Sequence, residues 1–345
     1  MKILMVTSPI VSLAEPFAGG TEAFVVQLSN GLAAKGHHVD VLCKHADETN
    51  RFNTLAIEES AMRMCDAITS EADGQKQYQA AQYGLIDTSG YDAVHYHSYY
   101  HAIYDYGFMH QRPSIVTLHS PVSERLALAH QLHRARSDDR YIAVSKRLKQ
   151  EWEAVIGTGI EVINNGINPG AFTLPPQVKH DYVIVSGRIC PDKDITAAIT
   201  LAAGIGKPLY IAGPISDQHY FSQEIEPRLN TNVRYLGHLD QAQLRTYVAG
   251  AFAALATSRW NEPFGLATLE ALACDTPVIG FASAIVPELR HFPATQIVSP
   301  DDRSELMQAV NAIKTLPQGT CAGYARQFDF AHTLTQYESL YEQLH

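Results

Sequence analysis

Short apolar runs alternate with longer amphipathic segments along almost the whole chain. The first run is Ile3–Val6, and runs of similar length follow, for example Ser114–Leu118 and Tyr141–Val144. The segments between them carry apolar residues at helical spacing, as in Phe24–Leu32. Such spacing predicts helices, and strands that alternate with helices predict parallel sheets covered on both faces. The sequence therefore predicts an α/β fold.

The alternation stops at a stretch rich in Asn, Gly and Pro, residues 163–181, and then starts again at Tyr182–Ser186. These residue types are typical of turns and linkers. We predict an N-terminal domain over residues 1–168, a C-terminal domain over 169–327, and a terminal helix over 328–345 that packs back on the N-terminal domain. Ligands of open α/β sheets bind beyond the carboxyl ends of the strands. Two such edges that face each other would form a deep cleft.

Charge and cysteine content exclude some classes of protein. The net charge of −10 argues against a nucleic-acid partner, because binding phosphates requires a basic surface. The five cysteines are scattered without a C-x-x-C pair, which argues against a disulfide framework and a structural zinc site. The first apolar run is too short for a signal peptide, and no run reaches the roughly 18 apolar residues of a membrane span. We expect a cytoplasmic protein.

Two glycines, Gly19 and Gly20, precede Thr21 and Glu22 at a predicted helix start. Glycines allow the backbone to approach a ligand closely, and a helix N-terminus offers free N–H groups to an anion. The alternative is a tight turn in which Glu22 interacts favourably with the helix dipole. The pattern is neither a G-x-G-x-x-G fingerprint nor a Walker A motif.

Two cations, Arg188 and Lys193, follow the predicted strand at 182–185. An arginine fork and a lysine point charge at the carboxyl end of a strand suit a diphosphate. One alternative is a solvated turn in which Lys193 pairs with Asp192 or Asp194. Another is a D-x-D motif for a divalent metal, although Lys193 would compete with the metal.

Two carboxylates, Glu262 and Glu270, lie eight residues apart in an otherwise apolar segment. Gly265 precedes residues that favour a helix, Leu266–Ala273, so Glu262 falls in the loop before it and Glu270 inside it. The helix N-terminus would bind a phosphate, and carboxylates accept hydrogen bonds from sugar hydroxyls. The two acids would then hold two sugars of one ligand. The alternative is a core acid at Glu270 and a surface residue at Glu262.

Histidines are concentrated in residues 95–110, at positions 95, 97, 101 and 110. We predict a polar cleft wall rather than a zinc site, because neither C-x-x-C nor H-E-x-x-H is present. His119 directly follows the predicted strand at 115–118, so we also consider it a site candidate. The sequence lacks the G-x-S-x-G elbow that is typical of α/β-hydrolases.

Four segments together resemble a retaining GT-B glycosyltransferase of family 4, also called glycosyltransferase group 1. They are GGTE at 19–22, TLH at 117–119, SGRICPDKD at 186–194 and EPFGLATLEALACDTPVIG at 262–280. The resemblance implies two Rossmann-like parallel-sheet domains that face each other across a cleft. It implies transfer of a hexosyl unit from a UDP- or GDP-sugar to a glycan, lipid-linked or small-molecule acceptor. The family retains the configuration of the sugar and usually needs no metal or other cofactor.

The resemblance also implies residue roles. His119 would hydrogen-bond the donor sugar, Arg188 and Lys193 would neutralise the diphosphate, and Glu262 would hold hydroxyls of the transferred sugar. Glu270 would accept the ribose hydroxyls. Other donor contacts would come from Gly19, Gly20, Gly237, Phe264, Gly265, Leu266 and Ala267. We place Glu22 and His97 on the acceptor side.

Some features leave alternatives open. Residues 281–290, FASAIVPELR, lack the glycine pair that family members often carry there. A nucleotide-sugar epimerase or hydrolase would use the same diphosphate site, and so would a non-catalytic sugar-nucleotide-binding protein. Residues 112–152 hold eight Lys and Arg against four acids. This segment suits weak peripheral contact with the inner face of a membrane, or the solvated face of two helices, which we favour.

Overall fold

The computed structural model describes residues 1–7, 12–56, 83, 86–101, 103–104, 112–135, 139–172 and 179–344. The chain divides into two compact units. The first consists of Met1–Asn164 and Leu334–His345, and the second of Asn165–Thr333. Among the described helices, none combines the length and the apolar character needed to cross a membrane.

The first unit is built on a seven-stranded parallel sheet in the order β5-β3-β1-β6-β7-β8-β9. Its strands are β1 Lys2–Val6, β3 His38–Cys43, β5 Asn53–Ala56, β6 Ala93–Tyr96, β7 Ser114–Leu118, β8 Arg140–Ala143 and β9 Ile160–Val162. Two short strands, β2 Ser12–Leu13 and β4 His45–Ala46, pair separately. The helices of this unit that the structure describes over their whole length are α1 Gly20–Ala34, α2 Glu124–Arg134 and α3 Lys146–Ile156. β1 and β7 are almost wholly buried, as expected for strands covered on both faces.

The second unit contains a six-stranded parallel sheet in the order β12-β11-β10-β13-β14-β15. Its strands are β10 Val183–Ser186, β11 Leu209–Ala212, β12 Val233–Tyr235, β13 Ala253–Ala256, β14 Val278–Gly280 and β15 Thr295–Ile297. Its helices are α4 Ile195–Ile205, α5 Gln218–Tyr220, α6 Gln241–Gly250, α7 Leu266–Ala273, α8 Pro287–Arg290, α9 Arg303–Lys314 and α10 Thr320–Ala325. The last helix, α11 Phe330–Glu342, begins in the second unit, and its residues from Leu334 onward belong to the first.

The strand order reverses once in each sheet. The reversal lies between β1 and β6 in the first unit and between β10 and β13 in the second. Loops that leave neighbouring strands in opposite directions open a crevice at the carboxyl edge, where α/β proteins bind ligands. In the second unit these loops carry Arg188, Lys193 and Glu262. The predicted two-domain α/β fold with parallel sheets is confirmed.

The loops after β10 and β11 approach each other closely. Gly213 has φ +144°, and a Cβ atom added to it would lie 2.0 Å from the carbonyl oxygen of Gly187. The backbone N–H of Gly213 also donates to the carbonyl of Gly237 at 2.9 Å, so the loop after β12 joins them. Only glycine fits at position 213, because both the dihedral angle and the space exclude a side chain.

Candidate functional site

Lys193 and Glu262 form an ion pair at the carboxyl edge of the second sheet. Lys193 ends the 3₁₀ turn Pro191–Lys193 after β10, and its Nζ donates to Oε1 of Glu262. The same oxygen accepts from the hydroxyl of Ser258 and from Nε1 of Trp260, the latter at 3.0 Å. Burial raises the pKa of Glu262, but Lys193 and the hydrogen bonds outweigh it and hold the pKa below its usual value. Glu262 is therefore an ionised, buried carboxylate.

The two loops that carry this pair are bonded to each other. The Thr257 hydroxyl lies 3.1 Å from both the Lys193 and the Asp194 carbonyl oxygens, and the N–H of Arg259 donates to the Asp192 carbonyl at 2.9 Å. Arg259 Nε also donates to the carboxylate of Asp194 at 2.5 Å. These bonds fix the position of Lys193 before any ligand binds.

The alternatives for the turn at 192–194 are not supported. Lys193 pairs with Glu262 rather than with a neighbouring aspartate. Asp194 accepts from Arg259, from the Thr196 hydroxyl at 2.6 Å and from the N–H of Ala197 at 3.1 Å, which caps α4. An aspartate engaged by three donors is a poor metal ligand. Among the described residues, no group of three or more His, Cys, Asp and Glu could hold a metal ion.

Arg188 is half-buried and lies over the ring of Trp260, with its Cζ 5.9 Å from the ring centre. The Nζ of Lys193 lies 5.4 Å from the same ring. Within the part of the chain that the structure describes, the Arg188 side chain makes no hydrogen bond or ion pair. Its donors are therefore available to an anion that enters this edge.

The N-terminus of α7 has no side-chain cap. Gly265 occupies the cap position with φ +79°, and Phe264 beside it is buried. Four consecutive backbone N–H groups, those of Phe264 to Ala267, donate to no acceptor among the described residues. Together with the helix dipole, such groups form a ready site for an anion.

Glu270 lines a small, partly open pocket. The other lining residues are Phe172, Ser186, Gln241, Leu244, Arg245, Val248, Ala267 and Cys274. Burial raises the pKa of Glu270 to about 7, and the charge of Arg245 partly opposes that rise. The carboxyl group makes no hydrogen bond with any described residue. It therefore differs from the satisfied core acid of the alternative interpretation, because no described residue satisfies it.

Residues 281–290, where the sequence departs from the family pattern, lie behind Glu262. The carbonyl of Ser283 accepts from the N–H of Glu262 at 3.0 Å, and the Ser283 hydroxyl donates to the Ser258 carbonyl at 2.5 Å. Ala284 is buried, and its carbonyl oxygen would lie 3.2 Å from a Cβ at Gly265. The segment thus supports both Glu262 and the start of α7.

In the first unit, the structure places the glycine pair at the start of α1. Gly19 caps the helix in an extended conformation, and Gly20 is its first residue. Glu22 is buried, with Oε2 3.0 Å from the position of a Cβ at Gly19. This position in the first turn suits the helix-dipole interpretation. An acceptor contact for Glu22 stays a prediction.

His119 follows β7, as predicted, and its Nε2 lies 2.9 Å from Nδ1 of His97. His97 is fully buried, and its acceptor contact stays a prediction. His95 is fully buried as well and bonds to Thr117 and Tyr341, at 2.7 Å and 2.5 Å. The predicted polar wall is therefore, at these two positions, part of the core. His110 lies outside the described residues.

Sequence analysis missed Ser258 and Trp260. They precede Glu262 by four and two residues and both donate to its Oε1. A local signal existed, because a buried carboxylate needs donors, and a serine and a tryptophan stood within one turn of it.

Most basic residues of segment 112–152 bond within the protein. Arg112 donates to the Ser89 carbonyl, and Arg134 to the carbonyls of Gly157 and Thr158. Arg140 contacts Glu161 and Gln343, and Lys149 contacts Glu153. Arg136 lies outside the described residues.

Comparisons with known proteins agree along most of the chain. Residues 18–170 match the family described as Glycosyltransferase Family 4, and residues 172–319 match Glycosyl transferases group 1. A glycogen synthase of Mycobacterium tuberculosis is 27% identical, over 81% of this chain and 77% of the relative. A D-inositol 3-phosphate glycosyltransferase of Jonesia denitrificans is 24% identical, over 98% of this chain and 94% of the relative.

Solved structures share the fold. Sucrose-phosphate synthase from Thermosynechococcus elongatus superposes with a TM-score of 0.74 at 21% identity, over 100% of this chain and 99% of that one. Anabaena HepE in complex with UDP and glucose superposes with a TM-score of 0.77 at 18% identity, over 99% and 100%. AviGT4, from avilamycin A biosynthesis, superposes with a TM-score of 0.70 at 19% identity, over 99% of this chain and 97% of that one.

Proposed function

Because the chain belongs to the glycosyltransferases that join a Family 4 domain to a group 1 domain, we propose that it moves a hexosyl unit from a nucleotide-diphosphate sugar to an acceptor. The observation that carries the proposal is the ionised Glu262 held by Lys193. On the same sheet edge lie Arg188 and the four N–H groups at the N-terminus of α7, none of which has a hydrogen-bond partner among the described residues. This edge offers an anion site beside a hydroxyl-binding carboxylate. A nucleotide-diphosphate sugar needs both.

The cationic groups would act on the leaving group. When the glycosyl–phosphate bond breaks, the diphosphate gains negative charge and the sugar approaches an oxocarbenium ion. Arg188, Lys193 and the N-terminus of α7 would stabilise that charge, and groups fixed beforehand need no reorganisation during the reaction. Because these groups supply positive charge at the diphosphate, we propose a reaction without a metal or other cofactor.

The carboxylates would orient the two sugars of the donor. Glu262, kept ionised by Lys193, would accept hydrogen bonds from the transferred sugar, and Glu270 would accept them from the ribose. Of the other proposed contacts, His119 would bond a hydroxyl of the donor sugar, while Gly19, Gly20 and Gly237 would meet the donor through the backbone.

We also propose that the reaction retains the configuration at the anomeric carbon. The bond from that carbon to the phosphate oxygen would break as a bond to the acceptor oxygen forms on the same face. The departing phosphate oxygen would take the acceptor's proton. This route requires no protein nucleophile.

The base of the donor is either uracil or guanine in this proposal. The acceptor is a glycan, a lipid-linked sugar or a small molecule. The solved structures of HepE hold UDP or UDP-glucose, so we place UDP-sugars first in the order of testing. Peripheral membrane contact is a weaker proposal. It is supported by Leu128 and Leu132, which are 59% and 50% exposed one and two turns after the exposed Arg125 on α2.

The proposal is tested first by thermal-shift titration with UDP, GDP, ADP and their sugar conjugates. A ligand that binds only the folded state stabilises it by about 2.7 kcal/mol at one hundred times its Kd. We expect one nucleoside diphosphate to raise Tm by several degrees, with the same shift in the presence of EDTA. No shift with any of them would contradict a donor site, and a shift abolished by EDTA would contradict metal independence.

An enzyme assay separates the alternatives. A nucleotide-sugar hydrolase would release free sugar at a rate independent of acceptor, and an epimerase would convert the donor without releasing the nucleotide. A non-catalytic binding protein would shift in Tm but release nothing. The proposed transferase releases nucleoside diphosphate at a rate that rises with acceptor.

We expect Glu270→Gln to weaken nucleotide binding and to remove a pH dependence of stability. Burial raises the pKa of Glu270 from 4.5 to about 7, so its contribution to stability is complete below pH 4.5 and is lost as the pH rises through 7. The variant should therefore melt higher than the wild type at pH 8 and similarly at pH 4.5. Melting curves at both pH values, with and without nucleotide, measure this.

Binding has the opposite pH dependence, because only the ionised carboxylate accepts both ribose hydrogen bonds. Nucleotide affinity of the wild type should rise between pH 6 and pH 8, and that of Glu270→Gln should stay constant. Glu305→Gln, a change at a half-buried glutamate in the first turn of α9, is the matched control. Equal pH profiles of Glu270→Gln and wild type would contradict the assignment.

A further inference from the structure

His97 and His119 form a bonded pair of histidines in the first unit. His97 follows β6 and His119 follows β7, the neighbouring strand. Nδ1 of His97 lies 2.9 Å from Nε2 of His119. The other nitrogen of His97, Nε2, is buried and has no hydrogen-bond partner among the described residues. His119 itself is half-buried, and its Nδ1 makes no bond with any described residue.

Both rings are neutral, because burial lowers the pKa of His97 well below its ordinary value and that of His119 to about 3. A neutral imidazole has one N–H and one lone pair. The bond between the rings therefore needs one of them to donate and the other to accept. Two arrangements of the protons allow this hydrogen bond, and they differ in whether the outer nitrogen of each ring carries an N–H or a lone pair.

The unpaired Nε2 of His97 decides between the two arrangements. If His97 accepted at Nδ1, its proton would sit on Nε2 and leave a buried N–H without an acceptor, which is rare in proteins. If His97 donates from Nδ1, only a lone pair is left unpaired. The second arrangement leaves Nε2 of His119 as the acceptor, so the proton of His119 resides on Nδ1.

We infer that His97 is a positioning residue, which holds His119 in the Nδ1–H tautomer so that His119 presents an N–H donor to a hydroxyl of the bound donor sugar. The last clause rests on the proposed function, whereas the tautomer does not. Without His97, the second tautomer of His119 would present a lone pair at the same place. The pair therefore sets the direction of the hydrogen bond that His119 makes with its ligand.

The packing around the pair keeps both rings in place. Phe24 of α1 lies 5.9 Å from the ring centre of His97 and 5.2 Å from that of His119. His95 also lies against His97, 3.8 Å between ring centres. His95 is itself fixed by Thr117 and Tyr341. A ring confined in this way cannot turn to exchange its two nitrogens.

The direct test is nitrogen-15 NMR of histidine side chains in the full chain. Protonated and unprotonated ring nitrogens have widely separated chemical shifts, and the His119 signals are identified by their loss in His119→Asn. We expect a protonated Nδ1 and an unprotonated Nε2 in the wild type. The reverse pattern would overturn the inference, whether or not the protein transfers sugar.

Substitutions at His97 test the positioning role. His97→Leu removes the donor, so we expect His119 to become a mixture of tautomers and kcat/KM to fall about tenfold, the value of one hydrogen bond. His97→Asn places an amide N–H near the position of Nδ1 and should restore the tautomer and most of the activity. His130→Gln changes another buried histidine of this unit, bonded to Tyr141 instead, and should leave the His119 signals unchanged.

The outcomes are distinguishable. If His97→Leu changes the tautomer but leaves kcat/KM unchanged in an active enzyme, the positioning role is overturned. If His97→Asn is as slow as His97→Leu, the loss comes from packing, which also overturns it. If the wild type transfers no sugar, the proposed function fails, and the NMR result still decides the tautomer.

Discussion

Replacing Lys193 with alanine is expected to reduce the rate of sugar transfer about a hundredfold or more while the protein stays folded. Fixed groups that stabilise charge in a transition state typically contribute two to three orders of magnitude each. The substitution also leaves the buried Glu262 without its cation, which costs about 3 kcal/mol of stability, less than the total of most domains. Nucleotide release with saturating donor and a melting curve measure the two effects. Glu262→Ala is expected to abolish transfer.

Lys207→Ala is the matched control for that experiment. Lys207 also forms an ion pair with a carboxylate in the second unit, but its partner Asp181 is exposed. Lys207 directly follows the residue that caps the end of α4, whereas Lys193 lies before the start of that helix. We expect normal transfer from Lys207→Ala. Full activity in Lys193→Ala would contradict the assignment of the diphosphate site.

Replacing Gly213 with alanine is expected to destabilise the second unit by several kcal/mol. The new Cβ would lie 2.0 Å from the backbone carbonyl of Gly187, and neither backbone segment is free to move because both continue directly from paired strands. Strain and overpacking of this kind cost about 1–3 kcal/mol each. The loop that carries Arg188 would shift with Gly187, so nucleotide affinity should fall too. Chemical denaturation with and without nucleotide is the measurement.

Two other glycines separate the causes of that effect. Gly206 has φ +78° and no atom near its Cβ position, so Gly206→Ala measures the cost of a left-handed dihedral angle without a steric contact. Gly323 lies in α10 without a positive φ or a close neighbour, so Gly323→Ala should be neutral or slightly stabilising. Among the three variants, Gly323→Ala should be the most stable, Gly206→Ala intermediate and Gly213→Ala the least stable. Equal losses at 206 and 213 would show that the contact with Gly187 is unimportant.

The candidate residues could be predicted from sequence more readily than their partners. Glu262 and Lys193 stand out because charged side chains follow strand-like runs, which places them at a carboxyl edge. That they pair with each other depends on β10 lying beside β13, although 69 residues separate the two side chains. The local sequence pattern does not predict the order of strands in a sheet. The predicted alternatives for Lys193 therefore considered only its neighbours in sequence.

His97 shows a second limit of prediction. Its place after an apolar run was visible, but the rings that pack against it include Phe24, which is distant in sequence, and His95. His95 is in turn covered by Tyr337 and Tyr341, more than 240 residues further along the chain. A histidine at the end of a strand looks the same in sequence whether or not such a distant segment covers it.

The division of the chain also fixes an order of folding during synthesis. Residues 165–333 are contiguous, so the second unit can complete its sheet and core soon after they leave the ribosome. The first unit cannot, because Tyr337 and Tyr341 pack and bond into its centre and are made only after the whole second unit. The half translated first is therefore finished last. While the second half is being made, His95 and Thr117 lack the tyrosine partners that they have in the native state.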